Sequence, residues 1–324
     1  MINAVRELEG WLASEDPDPW VVETSGSTGT PKRVVLSRAA VLASVEASAR
    51  RLGGSGRWLL AVPASYVAGV QVVCRSLVAG YPPVLLEEHA SFAEAAREAD
   101  YVSLVPTQLH RLLDTDAEAL RGFRTVLLGG GPIDPGLRQR AADAGVHVVA
   151  TYGSAETAGG CVYDGYALDG VALALDAGGR IRIAGPTLFD GYAGDPVATA
   201  EVLVDGWFLT SDAGRLDEDG RLHVLGRVDD VVVSGGVNVP APAVAARLRE
   251  HPAVAAAEVL GVPDEEWGNR LVAFVVGDVS LDELRGWVGE THARSWAPRQ
   301  LVELDAIPLL PNGKPDRVTL RSMA

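Results

Sequence analysis

Cysteine is nearly missing from this chain: Cys74 and Cys161 are the two thiols in 324 residues, so no disulfide framework holds the fold, and a reducing, cytoplasmic setting is expected. Positive charge is scarce as well. A formal net charge of −15 removes the electropositive footprint that a general nucleic-acid binder needs, and any small anionic ligand must find local basic groups. Long apolar runs are also lacking. The most hydrophobic region, residues 58 to 86, is broken by Pro63, Arg75, Pro82 and Pro83 and reads as buried core, not as a membrane span. The start of the chain, from Met1 to Glu7, has no uninterrupted apolar stretch of the kind a signal peptide carries. No internal repeat or low-complexity segment stands out.

What is present is enough chain for a sizeable core, organised as two domains or as one large domain with an appendage. From residue 20 to about 150, short β-branched runs at 58–62, 84–86, 101–105, 125–128 and 147–151 alternate with helix-like segments at 38–52, 70–79, 92–99, 107–113 and 134–144. That alternation predicts an α/β sheet with covering helices. Asp134 followed by Pro135 carries the start signals of the last helix. After Gly159 the texture becomes short strands separated by Asp/Gly turns, a β-rich subdomain. Beyond Val228 it changes again, to a helix at 241–250, strands at 255–261 and 271–276, a helix at 281–291 and a strand at 301–304. The expected architecture is a large N-terminal α/β domain, residues 1–227, with a β-rich subdomain, and a small mobile α+β domain, residues 230–324.

The stretch from Thr24 through Ser25, Gly26, Ser27, Thr28, Gly29, Thr30 and Pro31 to Lys32 has the chemistry of a phosphate-holding loop. Its glycines let backbone N–H groups turn toward an anion, its hydroxyls donate further hydrogen bonds, and its lysine adds charge. It is not a Walker A loop, because Pro31 precedes Lys32 and Arg33 follows it. Alone it is equally an ordinary flexible turn, but strand-like segments enter and leave it. Five further segments carry the same ambiguity. Tyr152, Gly153, Ser154, Glu156 and Thr157 follow a strand, where α/β sheets bind ligands, and Glu156 suits a metal ion. Gly129, Gly130 and Gly131 end another strand and leave room for a flat ring against backbone. Asp212 can accept from two ribose hydroxyls or cap a turn, and Arg227 can meet a nucleotide or a neighbouring acid. Lys314 stands in a Pro/Gly turn near the C-terminus.

Taken in order, these segments, together with Ser234-Gly235-Gly236, resemble the motif series of the acyl-adenylate-forming superfamily of acyl- and aryl-CoA ligases, luciferases and adenylation domains. The resemblance runs from about residue 20 to the C-terminus. It implies an ATP- and Mg²⁺-dependent ligase that converts a carboxylic acid to its acyl-AMP and then to a CoA thioester. It assigns Lys314 to charge stabilisation at the α-phosphate, residues 24–32 to the β- and γ-phosphates, and Glu156 to Mg²⁺. Asp212 and Arg227 fall to the ribose, and Gly129–Gly131 with Tyr152 to the adenine. Asp229 matches a hinge about which the C-terminal domain turns between the two steps, and Ser234, Gly235 and Gly236 match the loop that serves thioester formation. Ala155 departs from the pattern, because the family places Ser or Thr there; Ser154 and Thr157 are the neighbouring hydroxyls.

The phosphate loop begins at residue 24, so an N-terminal subdomain found in longer relatives is expected to be much reduced. That economy, with the segments at 105–111 and 159–165, resembles the o-succinylbenzoate–CoA ligases of menaquinone biosynthesis. Their acid has a second carboxylate, for which Arg75, Ser103, Thr107 and His110 are donors by neighbourhood; Tyr66 and Gly159 complete the expected acid pocket. Another aryl or medium-chain acid, a catalytically weak nucleotide-binding homologue and an adenylation domain feeding a carrier protein are the alternatives. The last is disfavoured because no carrier segment follows Ala324. No nucleic-acid partner and no membrane span are expected, and a homodimer is left open.

Overall fold

A computed structural model describes residues 2–24, 32–309 and 315–324, with the side chain of Asp229 also left aside. Seven strands form the main sheet, in the order Val84–Leu85, Trp58–Leu60, Tyr101–Leu104, Thr125–Leu128, Val148–Ser154, Gly159–Tyr163, Tyr166–Ala167. The first five pair in parallel and the last three antiparallel. Parallel strands need helical crossovers and are covered on both faces, which is why they read as continuous apolar runs. All four residues of Tyr101–Leu104 and of Thr125–Leu128 are buried.

Alternation along the strands divides the core in two. Trp58, Leu60 and Leu127 face a layer built from helices Ile2–Ala13, Arg38–Arg51 and Val67–Val78, whereas Leu59, Val126 and Leu128 face helices Phe92–Ala96, Pro106–Thr115, Ala117–Arg121 and Pro135–Asp143. Cutting one of these buried leucines to alanine costs about 2–5 kcal/mol. Helix starts are chemically marked: Ser37 Oγ accepts from Ala40 N at 3.2 Å and Asp134 Oδ1 from Leu137 N at 3.0 Å, each such cap contributing about 1 kcal/mol.

The predicted α/β class holds; elements that the sequence pattern did not announce include helices Ile2–Ala13, Ala117–Arg121, Pro196–Val202 and Arg317–Ser322 and strand Gly159–Tyr163. The β-rich stretch forms a five-stranded sheet, Ala172–Leu175, Arg180–Ala184, Trp207–Leu216 and Leu203–Val204 in order, with Leu222–Arg227 also on Trp207–Leu216. Contacts divide the chain into one unit of residues 1–174, 182–210 and 218–222 and another of 175–181, 211–217 and 223–324. In the second unit, strands Val254–Asp264, Gly268–Gly277 and Gln300–Glu303 make a sheet, and helices Ala241–Arg249 and Leu281–Gly289 bury Val244, Leu248, Leu284 and Val288 in its core. No helix among the described residues is long and apolar enough to cross a membrane.

Candidate active site

Parallel pairing puts the C-terminal ends of Trp58–Leu60, Tyr101–Leu104, Thr125–Leu128 and Val148–Ser154 along one edge of the main sheet, the edge at which such sheets bind ligands. Leu128 is in register with Ala150, so Gly129–Gly131 and Tyr152 emerge from adjacent strands, and the two segments expected to flank a flat ring are neighbours. Glycine is required at two of these positions. A Cβ at Gly129 would lie 2.6 Å from Thr151 Cγ2, and one at Gly153 would lie 2.1 Å from the Gly159 carbonyl oxygen. The strands approach too closely there for any side chain.

Ser25, Gly26, Ser27, Thr28 and Gly29 lie outside the described residues, as does Lys314. The stem of the first loop is described. Thr24 N donates to Lys32 O at 2.9 Å and Lys32 N donates to Thr24 Oγ1 at 3.0 Å, extending the antiparallel pair Trp20–Glu23 and Arg33–Leu36 and closing the loop base.

On the other side of Arg33–Leu36 lies strand Gly191–Tyr192, with Tyr192 opposite Val34. The Tyr192 hydroxyl donates to Glu156 Oε1 at 2.8 Å, and Lys32 Nζ sits 4.5 Å from the centre of the same ring. One tyrosine thus joins the phosphate-loop stem to the carboxylate expected to hold a metal. Burial, then the Glu156 charge and its hydrogen bond, push the Tyr192 phenol well above its usual range. It stays protonated and keeps donating. Tyr192 was not legible as a site residue, because it lies in a two-residue strand whose partners are distant in sequence.

The hydroxyls beside Ala155 differ sharply in availability. Thr157 is fully buried; its Oγ1 donates to Gly159 O at 2.7 Å and accepts from Ser154 N at 2.9 Å, so it is consumed in holding the turn Ala155–Thr157. Ser154 Oγ is buried with no partner among the described residues. Of the two, Ser154 is the one left free to meet a ligand oxygen.

In the second unit, Arg227 Nε lies 4.0 Å from Asp212 Oδ1, bringing together the two residues expected at a ribose. Asp229 falls in the short turn Val228–Asp230. Ser234, Gly235 and Gly236 form the tip of the hairpin Val231–Ser234/Val237–Pro240, with both glycines at positive φ, and Gly235 N donates to Trp267 O at 2.9 Å.

The acid-pocket residues separate into lining and scaffold. Tyr66 is exposed at the start of helix Val67–Val78, Ser103 is buried within its strand, and Thr107 is exposed in the first turn of Pro106–Thr115. His110 is exposed, with Nδ1 3.0 Å from Arg140 Nη1, while Arg140 Nη2 donates to Asp114 at 2.7 Å; it belongs to a surface network. Arg75, by contrast, is 5 % exposed. Its Nη2 donates to the Tyr163 hydroxyl at 3.2 Å, its guanidinium lies 5.0 Å from the Trp58 ring centre, and its Nε has no partner. One helical turn earlier, Gln71 is buried with both amide atoms unpaired, its Cγ 3.0 Å from where a Cβ on Gly159 would stand. A polar seam therefore runs from Gly159 past Gln71 to Arg75. Gln71 escaped the sequence reading because an isolated polar residue in an apolar helix signals nothing until its neighbours are known.

Among the described residues no three His, Cys, Asp or Glu side chains gather as a metal site. A single carboxylate such as Glu156 suits a magnesium ion held chiefly by a nucleotide's phosphates.

Residues 20–190 match the AMP-binding enzyme family, and residues 243–314 match the AMP-binding enzyme C-terminal domain. The chain is 44% identical to a probable 2-succinylbenzoate–CoA ligase of Mycobacterium tuberculosis, over 94% of this chain and 84% of that protein. It resembles o-succinylbenzoate CoA synthetase from Bacillus subtilis, solved with the acyl-adenylate intermediate, at 30% identity and TM-score 0.78, covering 93% of this chain and 68% of that one. The same Bacillus protein has also been solved with ATP and a magnesium ion. Amide bond synthetase McbA from Marinactinospora thermotolerans is similar at 32% identity and TM-score 0.78, with 93% and 68% covered. With more than half of its length matched by the family model and a relative 44% identical over nearly all of it, the chain belongs to the AMP-binding enzyme family.

Proposed function

We propose that this enzyme activates o-succinylbenzoate with ATP to the acyl-adenylate and transfers the acyl group to CoA. A carboxylate is a poor electrophile. Its oxygen attacks the α-phosphorus, the bond to pyrophosphate breaks, and the resulting mixed anhydride gives AMP as a good leaving group. The CoA thiol then attacks the carbonyl, loses its proton and displaces AMP.

The observation that carries the choice of acid is Arg75. Its guanidinium is buried beside the neutral phenol of Tyr163, and no ion pair to a carboxylate is formed among the described residues. A buried cation without a counter-charge costs several kcal/mol. A ligand with a second carboxylate supplies what the protein does not, and Gln71, unpaired one turn away, can donate to the same group. Relatives acting on 2-succinylbenzoate support this reading.

Lys314 provides the positive charge at the α-phosphate in the first step. Residues 24–32 hold the pyrophosphate to be released, and Ser154 supplies the hydroxyl missing at Ala155. Asp212 and Arg227 take the ribose, and Tyr152 with Gly129–Gly131 the adenine. Glu156, oriented by Tyr192, holds Mg²⁺; the ion would neutralise the charge of the departing pyrophosphate. A hinge at Asp229 between residues 1–227 and 230–324 allows the second step to use different surroundings, with the Ser234–Gly236 turn serving the thioester.

The test is pyrophosphate release with o-succinylbenzoate, followed by mass detection of its CoA thioester. Beside it run 4-oxo-4-phenylbutanoate, which lacks the ring carboxylate, and the variant Arg75→Gln. Loss of the ring carboxylate is expected to raise KM about 10- to 100-fold in the native enzyme and to have little further effect in Arg75→Gln. Equal use of both acids by the native enzyme overturns the choice of acid. A second reading, with an amine in place of CoA as the acyl acceptor, is favoured by the amide bond synthetase likeness; amide formation without thioester formation would select it.

A further inference from the structure

The segment 310–314 is fastened at both ends. Leu309 pairs antiparallel with Pro315, and Asp316 N donates to Pro308 O at 2.8 Å. Asp316 then caps the helix Arg317–Ser322, its Oδ1 accepting from Val318 N and Thr319 N at 3.1 Å and its Oδ2 from the Thr319 hydroxyl at 2.7 Å. The first residue of that helix reaches across 87 positions of sequence to Asp230. Arg317 Nη1 donates to Asp230 Oδ1, and Nη2 donates to Oδ2 at 3.2 Å.

This is a fork-on-carboxylate pair, the geometry in which arginine gives directional as well as electrostatic anchoring. It is partly buried, the two side chains 42% and 21% exposed, so solvent screens it less than a surface pair. The Asp230 contact raises the Arg317 pKa and keeps the guanidinium charged. Glu258, with Arg249 3.7 Å away, adds further charge around the pair. Asp230 follows Asp229 directly and leads into strand Val231–Ser234, and Arg317 follows Lys314 by three residues. The two ends of the ion pair fall beside the turn at 229 and beside the lysine segment.

We propose that the Arg317–Asp230 ion pair is a strut that couples the hinge to the lysine, so that rotation at residue 229 carries the base of the 310–314 segment as one piece. Arg317 and Asp230 are positioning residues, and the inference rests on the reading of Lys314 and Asp229 given above. Without the strut the segment keeps its sequence but loses its bearing relative to the hinge, and a misplacement of about 1 Å in a catalytic group can cost on the order of 100-fold.

The experiment separates the half-reactions in Asp230→Asn, Arg317→Gln, the exchanged pair D230R/R317D and Lys314→Ala. In each single strut variant, single-turnover pyrophosphate release is expected to fall about 10- to 100-fold. KM for ATP and acid, and acyl transfer from preformed acyl-adenylate to CoA, should stay within about 3-fold. The exchanged pair is expected to recover at least about 10-fold in release. A merely structural role would lower both half-reactions and the melting temperature together without recovery in the exchanged pair, and that result overturns the strut. So does native release in the single variants while Lys314→Ala abolishes it. If Lys314→Ala itself retains release, the underlying reading of the lysine fails first.

Discussion

The chain has two lysines, Lys32 and Lys314, and every other fixed cation is arginine. Each ends a Gly-containing stretch of sequence whose flanks are paired, one by the Thr24–Lys32 hydrogen bonds and the other by the Leu309–Pro315 bridge. Their settings differ. Lys32 rests on the face of Tyr192, which is itself bonded to Glu156 in the unit with the two-sided sheet. The lysine segment at 310–314 is attached to a smaller unit, and an arginine–aspartate pair three residues on ties it to the turn at 229. A compact ammonium on a flexible stem suits a charge that must follow a moving phosphate, whereas a rigid guanidinium fork suits an anchor. On the proposed reading, Lys32 would be built into the site and Lys314 would be carried to it.

The sharpest way to break that distinction is to remove each lysine. Lys314→Ala is expected to lower pyrophosphate release about 100- to 1000-fold, the loss typical of a charge-stabilising donor, while acyl transfer from supplied acyl-adenylate to CoA stays within about 3-fold. Lys32→Ala should act mainly through ATP, raising its KM about 10-fold with a smaller fall in kcat. Measuring the two half-reactions separately decides the matter. Equal losses in both would mean that the loops do the same work.

A smaller effect is expected where the first lysine meets its support. Tyr192→Phe keeps the ring under Lys32 and its packing against Phe189, but removes the donor to Glu156. The carboxylate then loses one fixed orientation. A rise of about 3- to 10-fold in the magnesium concentration required for half-maximal release is expected, with the melting temperature nearly unchanged. An unaltered magnesium dependence would leave Tyr192 with a packing role alone.

How far the sequence leads depends on the range of the contact. Strand Thr125–Leu128 coincides with its expected span, a β-branched threonine and three apolar residues all buried, and helix Pro135–Asp143 starts where Asp134 and Pro135 announce it. Helix Ile2–Ala13 was not announced, because only Leu8 and Trp11 are buried while Arg6, Glu7 and Glu9 interrupt the apolar signal. Within the candidate site, the motifs were legible as local clusters. What was not legible is what joins them: Tyr192 to Glu156 across 36 positions, Arg75 to Tyr163 across 88, Arg317 to Asp230 across 87. Tertiary pairing also sorted equivalent candidates, sending His110 to the surface and Arg75 to the interior.

The two units should also part at low pH, and this is the most modest effect. In the C-terminal unit three carboxylates are held below their usual range: Asp264 by the backbone N–H of Trp267, Glu283 by the Ser280 hydroxyl and Asp316 by the Thr319 hydroxyl, each with further hydrogen bonds. An unfolded chain takes up protons at these residues near pH 4. The folded unit resists until lower pH, so their stabilisation is complete above that range and fades as pH falls through the folded values. Asp190 in the larger unit and Glu258 in the C-terminal unit behave in the opposite sense, since burial raises each pKa and the folded form is the better proton acceptor there; in the C-terminal unit that is one acid against three. Hydrogen exchange followed by mass spectrometry between pH 6 and pH 3, corrected for intrinsic rates, should show strands Val254–Asp264 and Gly268–Gly277 losing protection at a higher pH than Tyr101–Leu104 and Thr125–Leu128. Glu283 is exposed and Asp264 and Asp316 are half-buried, so water reaches all three, and the separation should be small and should shrink further in high salt. Loss of protection first in the seven-stranded sheet would show that acid acts through its core and not through these caps.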